Sequence, residues 1–277
     1  MRIALGIEYD GSPYCGWQKQ PAGGSVQDAL QAALARLAGV PVDVVCAGRT
    51  DAGVHASAQV VHFDAPVQRP LSAWSRGTNT FLPDSIVVRW ACAVEDDFHA
   101  RFCAQGRQYR YLLLNRPQRP ALWHGRAGWH HAPLDLAAMQ AGAAHLLGEH
   151  DFSAFRAAEC QAKSPVKLVR RAEVRRCGDF VVFDFAAGAF LHHMVRNMVG
   201  SLVYVGLGRQ RPEWIGELLA VGDRRLAAPT FAAAGLYLVG VDYDPVWGLP
   251  PPDPQALPLA ELPLTDLAPL DPSWVRG

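Results

Sequence analysis

The sequence has no C-x-x-C pair. Its six cysteines (Cys15, Cys46, Cys92, Cys103, Cys160 and Cys177) are scattered along 277 residues. That spacing argues against a zinc ribbon, a dithiol redox motif or a disulfide framework, and leaves reduced structural thiols. Ten histidines are present, yet none falls in H-E-x-x-H or in the H-x-E plus P-C-x-x-C pattern of zinc deaminases, so no metal is expected. No P-loop and no G-x-S-x-G occurs, and VGLGRQ near Gly206 follows a helical pattern rather than a strand, so it lacks the frame of a dinucleotide site. No cofactor is expected. No apolar run reaches the ~20 residues that span a bilayer, and the first ten residues carry acids too early for a signal peptide. These absences point to a soluble cytoplasmic protein with no membrane partner.

Lysine is scarce too: arginine outnumbers it 23 to 3, and guanidinium forks suit phosphate and base stacking. The formal net charge is zero, but six acids and a single base lie from residue 240 onward, and setting that segment aside leaves 25 bases against 20 acids. Residues 98–130 hold Arg101, Arg107, Arg110, Arg116, Arg119 and Arg126 with no acid, interleaved with Tyr109, Tyr111, Trp123 and Trp129. Residues 163–176 hold six bases against Glu173 alone. A basic body behind an acidic tail fits a polyanionic partner, with Arg107 and Arg110 as candidate phosphate contacts.

Residues 2–9 read as a first strand. Ser25 caps a helix with Val26, Leu30, Leu34 and Leu37 at helical spacing and Gly39 as its stop. Strands are expected at 42–46, 58–63, 86–94, 108–114, 169–174, 180–185 and 235–243, and helices at 71–80, 136–147, 190–204 and 213–220. The order strand, helix, two strands, helix, strand occurs roughly twice. The expected fold is therefore α+β, with two similar mixed halves of antiparallel sheet flanked by helices. Residues 1–104 form the first half, 105–247 the second, and 248–277 a proline-rich acidic tail.

Two stretches gather reactive side chains. AGRTDAGVHASAQVV, from residue 47, places Arg49, Asp51 and His55 in one glycine-flanked strand connection, where Ala52 offers little obstruction to a large substrate. An Asx-turn closed by Asp51 is the competing reading. In FLHHMVRNMVGSLVYVG, apolar pairs leave His192, His193, Arg196, Asn197 and Gly200 on one polar stripe, expected to face a cleft or a partner. Neighbours on a helix point about 100° apart, so the two histidines are a poor pair of metal ligands.

Six segments, in order across nearly the whole chain to about residue 247, resemble the tRNA pseudouridine synthase A family. They are YDGSPYCGWQKQ, AGRTDAGVHASAQVVHF, DDFHARFCAQGRQYRYLLLN, GEHDFSAFR, GAFLHHMVRNMVGSLVYVG and GLYLVGVDY. The resemblance implies a homodimeric enzyme whose two α+β halves enclose a basic cleft and act on uridines 38, 39 and 40 of the tRNA anticodon stem-loop. It aligns Asp51 with the family's catalytic aspartate and Tyr109 with its active-site tyrosine. The acidic tail and the arginine-heavy composition depart from the family without touching either position.

Pseudouridine formation breaks the N1–C1′ bond, turns the uracil and rejoins it through C5, so it requires no cofactor, metal or redox partner. An ionised Asp51 can attack C1′, stabilise oxocarbenium character there, or assist loss of the 2′ proton to a glycal; the sequence leaves these open. Arg49 is expected to hold Asp51 ionised or to fill the gap of an extruded base. Tyr109 is expected to stack on uracil, Arg196 to contact substrate, and His55 to be structural. A non-catalytic tRNA-binding protein would account for the basic runs but not for a carboxylate among small residues. Another RNA-modifying enzyme would need a methyl-donor or zinc signature, and neither is present.

Overall fold

The computed structural model of the protein describes residues 1–252 and residue 257. Ten strands, β1 (Arg2–Tyr9), β2 (Val45–Cys46), β3 (His55–Asp64), β4 (Ile86–Val94), β5 (Ala104–Asn115), β6 (Gly128–His130), β7 (Gly148–Asp151), β8 (Val166–Cys177), β9 (Phe180–Ala187) and β10 (Leu236–Tyr243), form one sheet. Its main path is β4-β1-β3-β10-β5-β9-β8-β7, with β2 beside β3 and β6 beside β5. Four helices accompany it: α1 (Val26–Ala38), α2 (Leu136–Ala144), α3 (Met194–Gly206) and α4 (Trp214–Val221). The α+β class with mostly antiparallel strands flanked by helices is as expected. The two halves, however, share one sheet: the last strand, β10, turns back to the middle and pairs in parallel with β3 through Tyr237↔His55 and Leu238↔Ala56. Short β6 and β7 went unread, because three or four residues carry too little alternation to register.

Period-two alternation sorts each strand's side chains between two faces. On β5 and β9, Tyr109, Tyr111, Leu113, Phe183 and Phe185 join the main core with Leu30 and Leu34 of α1, Met139 of α2, Met198 and Leu202 of α3, and Ile215 of α4. Leu112, Leu114 and Val182 face the other way, under Trp123, Ala127 and Leu257. Helix α1 begins on a reciprocal cap: the Ser25 hydroxyl accepts the Asp28 N–H, and the Asp28 carboxylate accepts the Ser25 N–H. Segment 71–80, expected as a helix, is helical over residues 71–79, with a wider π-helical centre at Ala73–Gly77 that buries Trp74.

The expectation that everything past Gly248 stands apart from the core does not extend to Leu249 and Leu257. The first packs against the main core, and the second is buried against Leu112, Leu114 and Tyr237. The acids Asp253, Glu261, Asp266 and Asp271 lie outside the described residues. No described helix is long and apolar enough to cross a membrane.

Candidate active site

Asp51 sits in the connection from β2 to β3, which neighbouring elements hold on several sides. The buried Gln59 side chain brackets Gly48, donating from Nε2 to the Gly48 carbonyl (2.6 Å) and accepting the Gly48 N–H at Oε1 (3.3 Å). Thr50 is fixed through its carbonyl, which accepts the Trp17 N–H (3.0 Å), and through its hydroxyl, 2.7 Å from the Tyr9 hydroxyl. The Val54 N–H closes the turn on the Asp51 carbonyl (3.1 Å), and Gly53 occupies the left-handed region at φ 75°, where a side chain would be strained. At Gly11 the backbone passes so close that an added Cβ would lie 2.0 Å from the Val54 carbonyl oxygen.

The Asp51 side chain is 21% exposed, and its partners come from the start of α3. Arg196 Nη1 donates to Oδ2 at 2.9 Å while its Nε donates to the Phe231 carbonyl at 2.9 Å, so the guanidinium is anchored at both ends. His192 Nε2 lies 3.3 Å from Oδ1, and His193 Nε2 lies 3.3 Å from Oδ2. The convergence of adjacent histidines is unexpected for a helix running from residue 190. Helix α3 in fact begins only at Met194, and His193 is the sole described non-glycine residue at positive φ (61°). That left-handed residue swings the two rings toward one carboxylate, with centroids 4.0 Å apart, at a local backbone cost of about 1–3 kcal/mol. Burial lowers the His193 pKa, against the opposing pull of Asp51.

Tyr109 is nearly buried on β5, edge-on to Phe190 with ring centroids 5.2 Å apart. Its hydroxyl would lie 3.9 Å from a Cβ placed on Gly48, which puts it beside the Asp51 turn. Burial first and the Asp51 charge second raise its pKa, so it keeps its proton at neutral pH.

The other expected site residues divide. Arg49 is exposed and makes no hydrogen bond or ion pair among the described residues; the ion pair expected of it is made by Arg196 instead. Arg107, on the same sheet face as Tyr109, donates to the carbonyls of Ala47, Arg101, Ala104 and Gly188 at 2.8–3.1 Å and so braces the turn from beneath. Arg110 points through the opposite face, where its guanidinium is 2% exposed and its Nε donates to Asp184 Oδ1 at 2.7 Å. Neither guanidinium is placed to meet a phosphate. Adjacent strand residues take opposite faces, so the strand reading of 108–114 already carried the signal that Tyr109 and Arg110 could not share a site. His55 is structural: Nδ1 accepts the Gly11 N–H (3.0 Å), so Nε2 bears the proton shared by the Gly125 and Ala234 carbonyls. Of the polar stripe on α3, Asn197 is sealed by Phe155, Arg224 and Thr230, and Gly200 packs on Pro229.

A family model described as tRNA pseudouridine synthase matches residues 6–103 and 143–244. The chain belongs to that family. It is 68% identical over 253 residues to the tRNA pseudouridine synthase A of Dechloromonas aromatica, covering 91% of this chain and 97% of that one. It is 62% identical to that of Aromatoleum aromaticum and 60% identical to that of Methylobacillus flagellatus, each over 90% of this chain and at least 95% of the relative. The chain is therefore an isomerase of the pseudouridine synthase type. Both matched blocks contain parts of the site, Asp51 in the first and His192, His193 and Arg196 in the second.

Proposed function

We propose that the chain isomerises uridine to pseudouridine at positions 38, 39 and 40 of the tRNA anticodon stem-loop, with Asp51 acting at C1′. The observation that carries this reading is the Asp51 carboxylate itself. It is solvent-reachable and hydrogen-bonded to a doubly anchored Arg196, and the un-ionised Tyr109 phenol, edge-on to Phe190, lies beside its turn. A negative oxygen so placed stabilises positive charge developing at C1′, and an apolar ring nearby suits a detached uracil. The reaction keeps every atom of the base, so it calls for no oxidant and no group donor.

Arg49 and Arg101 are exposed beside the turn, and both act electrostatically on the Cys46 thiol at its foot. They take over the role first assigned to Arg107 and Arg110, with Arg49 free to enter the space of an extruded base. Strands from residues 2–94 fill one end of the sheet and those from 104–243 the other, which supports reading 1–104 and 105–247 as two halves flanking a basic cleft. Homodimer assembly rests on the family resemblance, and sedimentation equilibrium of the purified chain tests it. Tritium release from C5-labelled uridine in tRNA tests the activity. Release confined to transcripts with uridine at 38–40 is the expected result, and no release from any of them would overturn the reading.

A further inference from the structure

The active-site carboxylate and the two imidazoles beside it have a second chemistry. Two imidazole nitrogens and one carboxylate are the donor set of a first-row divalent cation site. The ligand atoms of Asp51, His192 and His193 all lie within 4.8 Å of one another, and each imidazole Nε2 is 3.3 Å from a carboxylate oxygen. Zinc bonds of ~2.0–2.1 Å put neighbouring ligand atoms of a tetrahedron roughly 3.3 Å apart, so the gaps wider than that, none above 4.8 Å, must close by rotation of the half-exposed rings. Among the described residues neither Nε2 has a polar partner besides Asp51.

We propose that Asp51, His192 and His193 bind a zinc-class divalent cation, and that the ion holds the enzyme inactive by occupying the carboxylate. Three protein ligands leave a fourth position to water. Arg196, 2.9 Å from Asp51 Oδ2, opposes a second cation and keeps the site reversible. The site is inhibitory in sense: the ion and the developing positive charge at C1′ compete for the same oxygens. The inhibitory half rests on Asp51 being the catalytic group; the binding half does not.

The test titrates the purified full chain with zinc chloride against a chromogenic chelator, and with cobalt(II) in the visible range. One equivalent should bind, with d–d absorption and without a thiolate charge-transfer band. The His192→Ala/His193→Ala double variant, checked for fold by circular dichroism, should bind at least about tenfold more weakly, ~1.4 kcal/mol. Arg196→Gln should bind severalfold more tightly, an effect that mere loss of structure would not produce. Isomerisation of prefolded tRNA should fall with the same zinc midpoint and return on adding EDTA. Unchanged zinc affinity in the double variant, or a charge-transfer band reporting cysteine ligands, overturns the site. Binding as described with isomerisation untouched overturns the inhibition. A chain that binds zinc here but never releases tritium from any tRNA would instead remove the proposed activity and leave the site standing.

Discussion

Asp184 and Asp51 each hold an arginine at hydrogen-bond distance, and they serve opposite ends. Asp184, on β9, is 8% exposed and has both oxygens taken, Oδ1 by Arg110 at 2.7 Å and Oδ2 by Arg175 at 2.9 Å. Asp51 keeps a route to solvent, and beyond Arg196 its neighbours are imidazoles rather than further permanent cations. The Asp184 pair is enclosed on the back of the sheet, and Arg110 Nη2 is left without a partner among the described residues. Charge sealed from water on all sides is committed to the fold; charge paired on one side only is available to a substrate.

The largest separation should come from neutralising each aspartate in turn. Asp51→Asn keeps shape and hydrogen bonding but not the negative oxygen, so single-turnover isomerisation should drop by at least about 10⁴-fold, ~5.5 kcal/mol. Binding of tRNA should stay within about tenfold, ~1.4 kcal/mol, and the urea midpoint should hold. If binding collapses with activity, Asp51 positions RNA rather than reacting with it. Mass spectrometry must exclude deamidation back to Asp.

Asp184→Asn should do the reverse. It strands the buried Arg110 charge, and stability should fall by about 3–5 kcal/mol, read as a lower urea midpoint, while the surviving folded fraction keeps its turnover. An apolar replacement of both partners, Arg110→Met with Asp184→Leu, should recover most of that loss. A variant as stable as the parent would show that Arg110 is less enclosed than its 2% exposure states.

A buried group with no ion pair sharpens the contrast through pH. His62, on β3, is buried and accepts the Ala100 N–H at Nδ1 (3.1 Å); burial first, then neighbouring His99, lowers its pKa to about 4. Between that value and the ordinary ~6.5 the unfolded chain binds a proton that the folded chain refuses. Stability is thus full above about pH 6.5 and declines as pH falls toward 4, by up to ~3 kcal/mol. Denaturant melts at pH 7.5 and 5 should show the loss in the parent and a smaller one in His62→Gln.

The smallest effect belongs to fully exposed charge. Replacing Arg49 and Arg101 together with alanine should leave stability alone and reduce the slope of log affinity for tRNA against log salt by roughly 1.4–1.8. An unchanged slope would place the RNA elsewhere on the surface.

Much of this was legible in the chain. Residues 86–94 came out as β4 to the residue because a half-buried strand shows its alternation locally, and α1 was bounded by Ser25 and Gly39 because caps are written in neighbouring positions. R-T-D-A-G marked Asp51 within a motif whose small residues have no role in a core. Four other features were not legible. The start of α3 was misplaced by four residues, since nothing in FLHHM announces a left-handed histidine. Gln59 reads as an ordinary strand residue until its amide is seen bracketing Gly48. An arginine run does not distinguish the exposed Arg101 from Arg107, which is spent on four carbonyls. Leu257 reads as part of a tail until it is found against β5 and β10.

The sequence by itself determined most of the elements and the family, and singled out Asp51 as the candidate carboxylate, because caps, alternation and motif spacing are interactions among residues near in the chain. Only the tertiary structure decided which arginine serves Asp51. Residues 51 and 196 are 145 positions apart, and they meet because β10 returns to pair with β3 and the Phe231 carbonyl just before it fixes the Arg196 guanidinium. Which of several like charges becomes a partner depends on closure of the sheet, and no local pattern encodes that.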